Sequence, residues 1–233
     1  MAPGALVTGS ARQGKNRRQG DVTASRFIFF AVWRDLGQSM VLSSMRAAVF
    51  VERDGILNCD RVEGNQPAPP LSLEQLEPKT EAIEPLRQLR AVGYLLIATT
   101  NQPALSRGQL SRREMDRMHD VLRRIFALDD ILVCPHDASD FCPCRKPRPG
   151  LLTEAAFKWH LKLEHCFVLS NKWQDAEAAL NAGCTSLLIA SPWIGKGHHD
   201  IVLASLADAV KKIPRLYAGT RVVAAPQGAV SAY

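Results

Sequence analysis

The chain has 233 residues, 46% of them hydrophobic and 22% charged, which fits a soluble globular domain with extensions; no apolar run approaches the roughly 18 residues of a membrane span. Its formal charge of +6 sits at the ends: residues 1–44 carry six Lys/Arg against two Asp/Glu, residues 211–233 carry four against none, and residues 45–210 hold 19 against 21. That distribution argues against a folded nucleic-acid-binding face.

Residues 1–25, rich in Gly, Ser, Gln and basic groups without periodicity, are expected to lack fixed structure. Phe27 to Trp33 is an apolar burst too short for a signal peptide and has no small-residue cleavage site after it. The preferred reading is that translation starts at Met40 or Met45, just before the first strand. Residues 1–44 are thus read as a disordered or mis-assigned extension, 45–212 as one domain and 213–233 as a flexible tail.

Arg46 to Val51 reads as a buried strand, followed by a proline-containing loop over 59–80 that can cover a site. Glu81 to Val92 has helical spacing and is stopped by Gly93; Tyr94 to Thr99 is a second buried strand. Ser111 with Glu114 forms a capping box opening a helix to about Phe126. A strand at 131–133, a helix at 151–161, a strand at 166–169, a helix at 175–182 closed by Gly183, a strand at 185–190 and a last helix over 201–212 complete the chain. Strands alternating with helices predict an α/β fold with a mainly parallel, Rossmann-like sheet, helices on both faces and no large cap domain. Right-handed crossovers then gather residues 52–54, 100–102 and 170–175 at one sheet edge.

The chemistry-bearing residues fall at those strand ends. Val49 to Val51 runs into Glu52 and Asp54, two acids one residue apart before a glycine turn. Cys134, His136, Cys142 and Cys144 offer three thiolates and an imidazole within eleven residues, the pattern of a closed structural zinc site rather than a disulfide framework. Such a cluster favours a reducing compartment, taken to be the cytoplasm. Cys59, Cys166 and Cys184 read as packing residues, His198 and His199 as solvated, and His119, His160 and His165 as isolated.

Four segments, Glu52–Gly55, Thr100–Gln102 with Arg107-Gly108, Cys134 to Gly150, and Asn171-Lys172 to Glu177, together resemble the haloacid dehalogenase superfamily, and within it the small zinc-containing heptose-bisphosphate and histidinol-phosphate phosphatases. The resemblance implies phosphomonoester hydrolysis through an acyl-phosphate, with Mg²⁺ neutralising the phosphoryl oxygens. It places the nucleophile at Glu52, the acid/base at Asp54, phosphate and substrate contacts at Arg53, Thr100, Asn101, Gln102, Arg107, Arg145 and Lys146, and Mg²⁺ ligands at Glu52, Asp54, Asn171 and Asp175. Two positions depart from the family pattern, since Glu52 stands where an aspartate is usual and Asn171 where an acidic ligand is usual. Hence two readings: an impaired phosphatase of a small sugar phosphate, or a silent descendant that binds a phosphorylated metabolite or a protein. A nucleic-acid module ranks below both. A monomer, with no nucleic-acid or membrane partner, is expected.

Overall fold

The computed structural model describes residues 46–218; the expectations for residues 1–44, for the start at Met40 or Met45 and for 219–233 lie outside them. Six strands form one parallel sheet: β1 (Ala48–Glu52), β4 (Leu95–Asn101), β5 (Asp130–Cys134), β6 (Phe167–Ser170), β7 (Thr185–Ile189) and β8 (Ile201–Leu203), in the order β5-β4-β1-β6-β7-β8. The chain builds outward from β1 through β4 to β5, then restarts on the other side of β1 with β6. The strand order therefore reverses beside β1, and in open α/β sheets ligands bind at the carboxyl ends where that happens.

Residues of β1 alternate between two covered faces, so the strand reads as an unbroken apolar run. Val49 and Val51 pack with Leu86 and Leu89 of α1 (Ile83–Ala91) and with Ala209 and Ile213 of α5 (Leu206–Ala218). Ala48 and Phe50 face Leu151, Leu152 and Ala155 of α3 (Gly150–Trp159) and Ala178 and Ala179 of α4 (Trp173–Ala182). Burying a Leu or Phe side chain stabilises by roughly 1.5–3 kcal/mol, so each face is anchored by several such contacts. Among the described residues, no helix is long and apolar enough to cross a membrane.

Three segments differ from the sequence reading. The loop after β1 contains a hairpin, β2 (Arg61–Glu63) with β3 (Gln66–Ala68), turned by Gly64 and Asn65 at φ 55° and 61°. Both turn residues have positive φ, the demand of a two-residue hairpin turn. The expected helix over 201–212 is instead β8 followed by α5. The Asp200 carboxylate accepts from the backbone N and hydroxyl of Ser186, which lays the next residues along β7, and the helix starts only after Ser205, whose hydroxyl donates to Asp208. That helix continues through Pro214 to Ala218, across the start of the expected tail. Lastly, Ser111 caps α2 (Arg112–Phe126) by accepting from Glu114 N, but the Glu114 carboxylate accepts from Leu73 N and Arg117 instead of closing the box.

Candidate active site

β1 ends in Glu52 and turns at once: Leu57 N and Asn58 N donate to Arg53 O, and Gly55 N donates to Asn58 O. Gly55 has φ +94°, and a Cβ there would lie 2.4–2.6 Å from Asn171 and Asp60 side-chain atoms. Only glycine fits, because the turn packs directly onto the end of β6.

Glu52 is buried, with one carboxylate oxygen accepting from Asp54 N at 3.2 Å and the other from Lys146 Nζ. Lys146 Nζ also donates to Asp175 Oδ1 at 2.6 Å and Thr99 O at 3.2 Å, so its three protons all have acceptors. Two carboxylates thus share one ammonium. Burial pushes Glu52 up to about 7, with Lys146 pulling the other way; Lys146 itself is raised by Asp175 and Glu52 against the opposing effect of burial.

Asp54 is held differently. Arg53, fully buried, grips both Asp54 oxygens at 2.9 and 3.0 Å, and Gln102 Nε2 donates to Asp54 Oδ2 at 2.8 Å and to Thr100 Oγ1 at 2.8 Å. Although burial works against its charge, the Arg53 guanidinium holds the Asp54 carboxyl below its usual range. The other end of Arg53 donates to His119 Nε2 at 3.2 Å, which fixes that nitrogen as an acceptor. Burial, with Arg53 beside it, lowers His119 to about 3.

A third cluster closes the edge. Lys172 Nζ donates to Asp54 O, to Asn171 Oδ1 at 3.0 Å and to Asp60 Oδ1 at 3.1 Å, while Asn171 Nδ2 donates to Asp60 Oδ2 at 2.5 Å. The four groups expected to hold Mg²⁺ are therefore all engaged by ammonium groups: Glu52 and Asp175 by Lys146, the Asp54 carbonyl and Asn171 by Lys172. A small, hard dication demands near-octahedral oxygen donors close to 2.0–2.1 Å and favours carboxylates. Carboxylate, amide and carbonyl oxygens are the donors such an ion takes, so the chemistry of Glu52, Asp54, Asn171 and Asp175 fits it, with the two lysines standing beside the same oxygens.

The cysteine loop begins where Asn101 lies beside Cys134 in the β4–β5 register. Sulfur and Nδ1 atoms of Cys134, His136, Cys142 and Cys144 stand 3.3–3.7 Å apart along the contacts between them, and all four ligand atoms lie within 4.8 Å of one another. A tetrahedral zinc with bonds of about 2.0–2.3 Å has ligand-to-ligand edges of roughly 3.3–3.8 Å, so these residues fit. Asn101 binds the loop that follows in both directions, its amide nitrogen donating to Lys146 O at 3.0 Å and its oxygen accepting from Lys146 N at 3.1 Å.

A cavity of about 200 Å³ opens over this edge, lined among others by Glu52, Asp54, Asn101, Arg145, Lys146 and Asp175. Pro67, Ala68 and Pro69 of the hairpin region also line it, so the loop does cover the site. Arg53, Thr100 and Gln102 are fully buried behind the lining, joined to it through Asp54. Arg107 turns away and grips Asp137 at 2.5 and 2.7 Å, tying its loop to the cysteine loop, while Arg145 donates to His136 O and lines the cavity. Three participants had no role in the sequence reading: Asp60, Lys172 and His119. Lys172 follows Asn171 directly and was legible as a neighbour; Asp60 and His119 arrive only by folding.

The parallel sheet, its reversal at β1 and the carboxylates, lysine and asparagine gathered there match what the resemblance to haloacid dehalogenase-type phosphatases implies. A HAD-hydrolase-like family model matches residues 143–209. D-glycero-beta-D-manno-heptose-1,7-bisphosphate 7-phosphatase of Pasteurella multocida is 30% identical over 188 residues, 74% of this chain and 99% of that protein. Its Helicobacter pylori (strain ATCC 700392 / 26695) namesake is 33% identical over 153 residues, 62% and 85% of the two chains. The crystal structure of D,D-heptose 1,7-bisphosphate phosphatase from B. bronchiseptica, complexed with magnesium and phosphate, superimposes with a TM-score of 0.64 at 24% identity, covering 73% of this chain and 99% of that one. The chain belongs to the heptose-bisphosphate phosphatase family of the haloacid dehalogenase superfamily.

Proposed function

We propose that the chain hydrolyses the phosphomonoester of a small sugar, in the class of the heptose bisphosphates named for its relatives, with Glu52 as the attacking carboxylate and slow turnover. The observation that carries this is Glu52 at the end of β1, lining the cavity with Lys146 on one of its oxygens. A Glu52 oxygen attacks phosphorus as the P–O bond to the sugar breaks, giving a glutamyl phosphate and a sugar alkoxide that must take a proton. Water then attacks phosphorus, releases inorganic phosphate and gives up its proton, returning Glu52 to the carboxylate. Asp54, two residues on, would give the alkoxide its proton and take one back from the attacking water; its lowered titration favours the second half of that exchange. Glutamate also places its carboxylate about 1.5 Å further from the backbone than aspartate, and a misplacement near 1 Å can cost on the order of 10²-fold.

Magnesium, present in the B. bronchiseptica complex, would be held here by Glu52, the Asp54 carbonyl, Asn171 and Asp175, where it would supply charge neutralisation of the phosphoryl oxygens. Cys134, His136, Cys142 and Cys144 would hold zinc, and its part is to pin the loop that presents Arg145 and Lys146. Its thiolate ligands suit a reducing, cytoplasmic setting. A binding protein without turnover is the second reading, favoured by the clamped Asp54 and the uncharged Asn171.

Purified protein assayed against sugar phosphates, with and without Mg²⁺, decides between them. Turnover that disappears in Glu52→Gln supports the hydrolase. Silence in the wild type with activity gained in the Glu52→Asp/Asn171→Asp double variant supports the binding protein. A folded double variant that is also inert would sink the assignment of roles.

A further inference from the structure

We infer that a second cavity beside the candidate active site, walled by Trp173 and Trp193, receives the uncharged sugar ring of the phosphomonoester whose phosphate lies at Glu52. The inference rests on the reading of the first cavity as a phosphate site and names what else of the substrate the chain holds.

The second cavity also measures about 200 Å³, and it shares Pro67, Lys172 and Gln174 with the first. Small-molecule sites occupy roughly 300–1,000 Å³, so neither cavity alone has the size of a whole ligand site, whereas the adjoining pair does. Its remaining walls come from separate parts of the chain: Gln66 from β3, Trp173 from the first turn of α4, and Pro192 and Trp193 from the connection between β7 and β8.

The two tryptophans are positioned by backbone bonds. Trp173 N donates to Trp193 O at 3.1 Å, Trp193 N to Ser191 Oγ at 3.0 Å, and the Ser191 hydroxyl to Asn171 O at 2.5 Å. The loop that carries Trp193 is thereby fastened to the end of β6, next to the phosphate cavity. Gly195 lies close against Trp173, since a Cβ there would stand 3.4–3.5 Å from three atoms of that side chain. Trp173 is still 40% exposed, so the braced indole serves a surface cavity and not the core.

The lining combines two indoles and two prolines with two amides. Apolar ring surface suits the C–H faces of a sugar, and an amide, which both donates and accepts, suits its hydroxyls. Among the described residues, no hydrogen bond engages the side-chain amides of Gln66 and Gln174 or either indole N–H, which leaves them for a ligand. A second anionic group is the poorer occupant. Lys172 is the one charged residue in this lining, and its ammonium already donates to Asp54 O, Asn171 Oδ1 and Asp60 Oδ1. Binding energy gathered on a ring remote from phosphorus can be used at the reacting end.

The test uses the full chain loaded with zinc and magnesium, in a Glu52→Gln background so that esters persist during titration. Inorganic phosphate, glycerol 3-phosphate, glucose 6-phosphate and phenyl phosphate are titrated by calorimetry, and tryptophan emission is followed alongside. Glucose 6-phosphate is expected to bind about tenfold or more tighter than glycerol 3-phosphate and to shift the emission where glycerol 3-phosphate does not. Adding Trp173→Ala should bring these two esters within about threefold of each other, whereas Trp173→Phe, which keeps an aromatic face, should retain most of the gap. A gap that survives Trp173→Ala, or that Glu52→Gln alone does not show, overturns the inference. Phenyl phosphate bound more tightly than glucose 6-phosphate also overturns it, because the cavity would then prefer a flat aromatic ring to a sugar. If Trp173→Ala does not fold, the gap and the emission shift in Glu52→Gln alone decide. Inorganic phosphate bound without any gap between the esters removes the ring site and leaves the phosphate site standing. Failure of all four ligands to bind overturns the phosphate-site reading and the ring site with it.

Discussion

Arg53 shows how one side chain can be fully buried and still serve the surface. Its guanidinium joins Asp54 on one side to His119 on the other, so the carboxylate at the pocket is braced from inside the protein. Because arginine only donates, His119 must be neutral to accept, and protonation would put two cations face to face. The folded value of His119 is about 3 against an ordinary 6.5, so between those values the unfolded chain binds a proton that the folded chain does not. Stability is then fully present above pH 6.5 and is lost as pH falls from 6.5 towards 3, by an amount on the order of a few kcal/mol. Asp54 opposes that loss, while Arg123 and Arg112 across α2 add to it. Urea midpoints measured downward from neutral pH should fall more steeply in the wild type than in His119→Gln; equal slopes would remove His119 from the cause. Nothing at the sequence level singles out this histidine, since its partner is 66 positions away and the contact exists only once α2 lies against the end of β1.

The loop from Cys134 to Gly150 is the element whose residues were most legible. Three cysteines and a histidine in a short span announce a tetrahedral set before any fold is known, whereas the connection from that set to the pocket is made by backbone. Asn101 grips both the N–H and the carbonyl of Lys146, and Gly150 N donates to Pro143 O at 3.1 Å, so the loop is fastened to β4 at one point and to its own exit at another. Replacing Cys144 with serine should therefore lower zinc content and thermal stability together, and weaken phosphate binding although Cys144 does not line the cavity. Since structural zinc sites contribute about 10–16 kcal/mol of metal-binding energy in small domains, even partial loss should be visible in the melting temperature. A variant with full zinc, measured by elemental analysis, and unchanged melting would show that the four residues are not the ligands. Asn101→Ala makes the complementary case: zinc retained, but Lys146 less well placed and phosphate binding reduced. The hairpin and β8 were the elements not read, for opposite reasons. Gly64-Asn65 carried a turn signal inside a segment that looked like plain loop, while β8 is only three residues long and is set in place by Asp200 reaching Ser186 of β7.

At the scale of the molecule, the sheet was legible because both faces of its central strands are covered, which makes them apolar runs, and because helices make the crossovers from β1 through to β7. The pocket was legible as a place, at the carboxyl ends, and less so as a charge arrangement, because Lys172 and Asp60 meet only through tertiary structure. Charge also separates the described residues from the rest. Residues 46–218 hold 22 Lys/Arg against 21 Asp/Glu, whereas the whole chain carries +6. Any attraction to a polyanion should then reside in residues outside 46–218 and should follow counterion release, falling steeply as salt is raised. A chain trimmed to 46–218 is expected to bind phosphate as the full chain does, because every residue of the pocket is retained. Duplex DNA retained by the full chain at low salt should be released at physiological ionic strength, and the trimmed chain should not retain it even at low salt. DNA retention by the trimmed chain with an undiminished salt slope would mean that a folded face carries the interaction. The near balance of charge in the described residues would then be hiding a local basic patch, and the nucleic-acid reading would have to be reopened on that face.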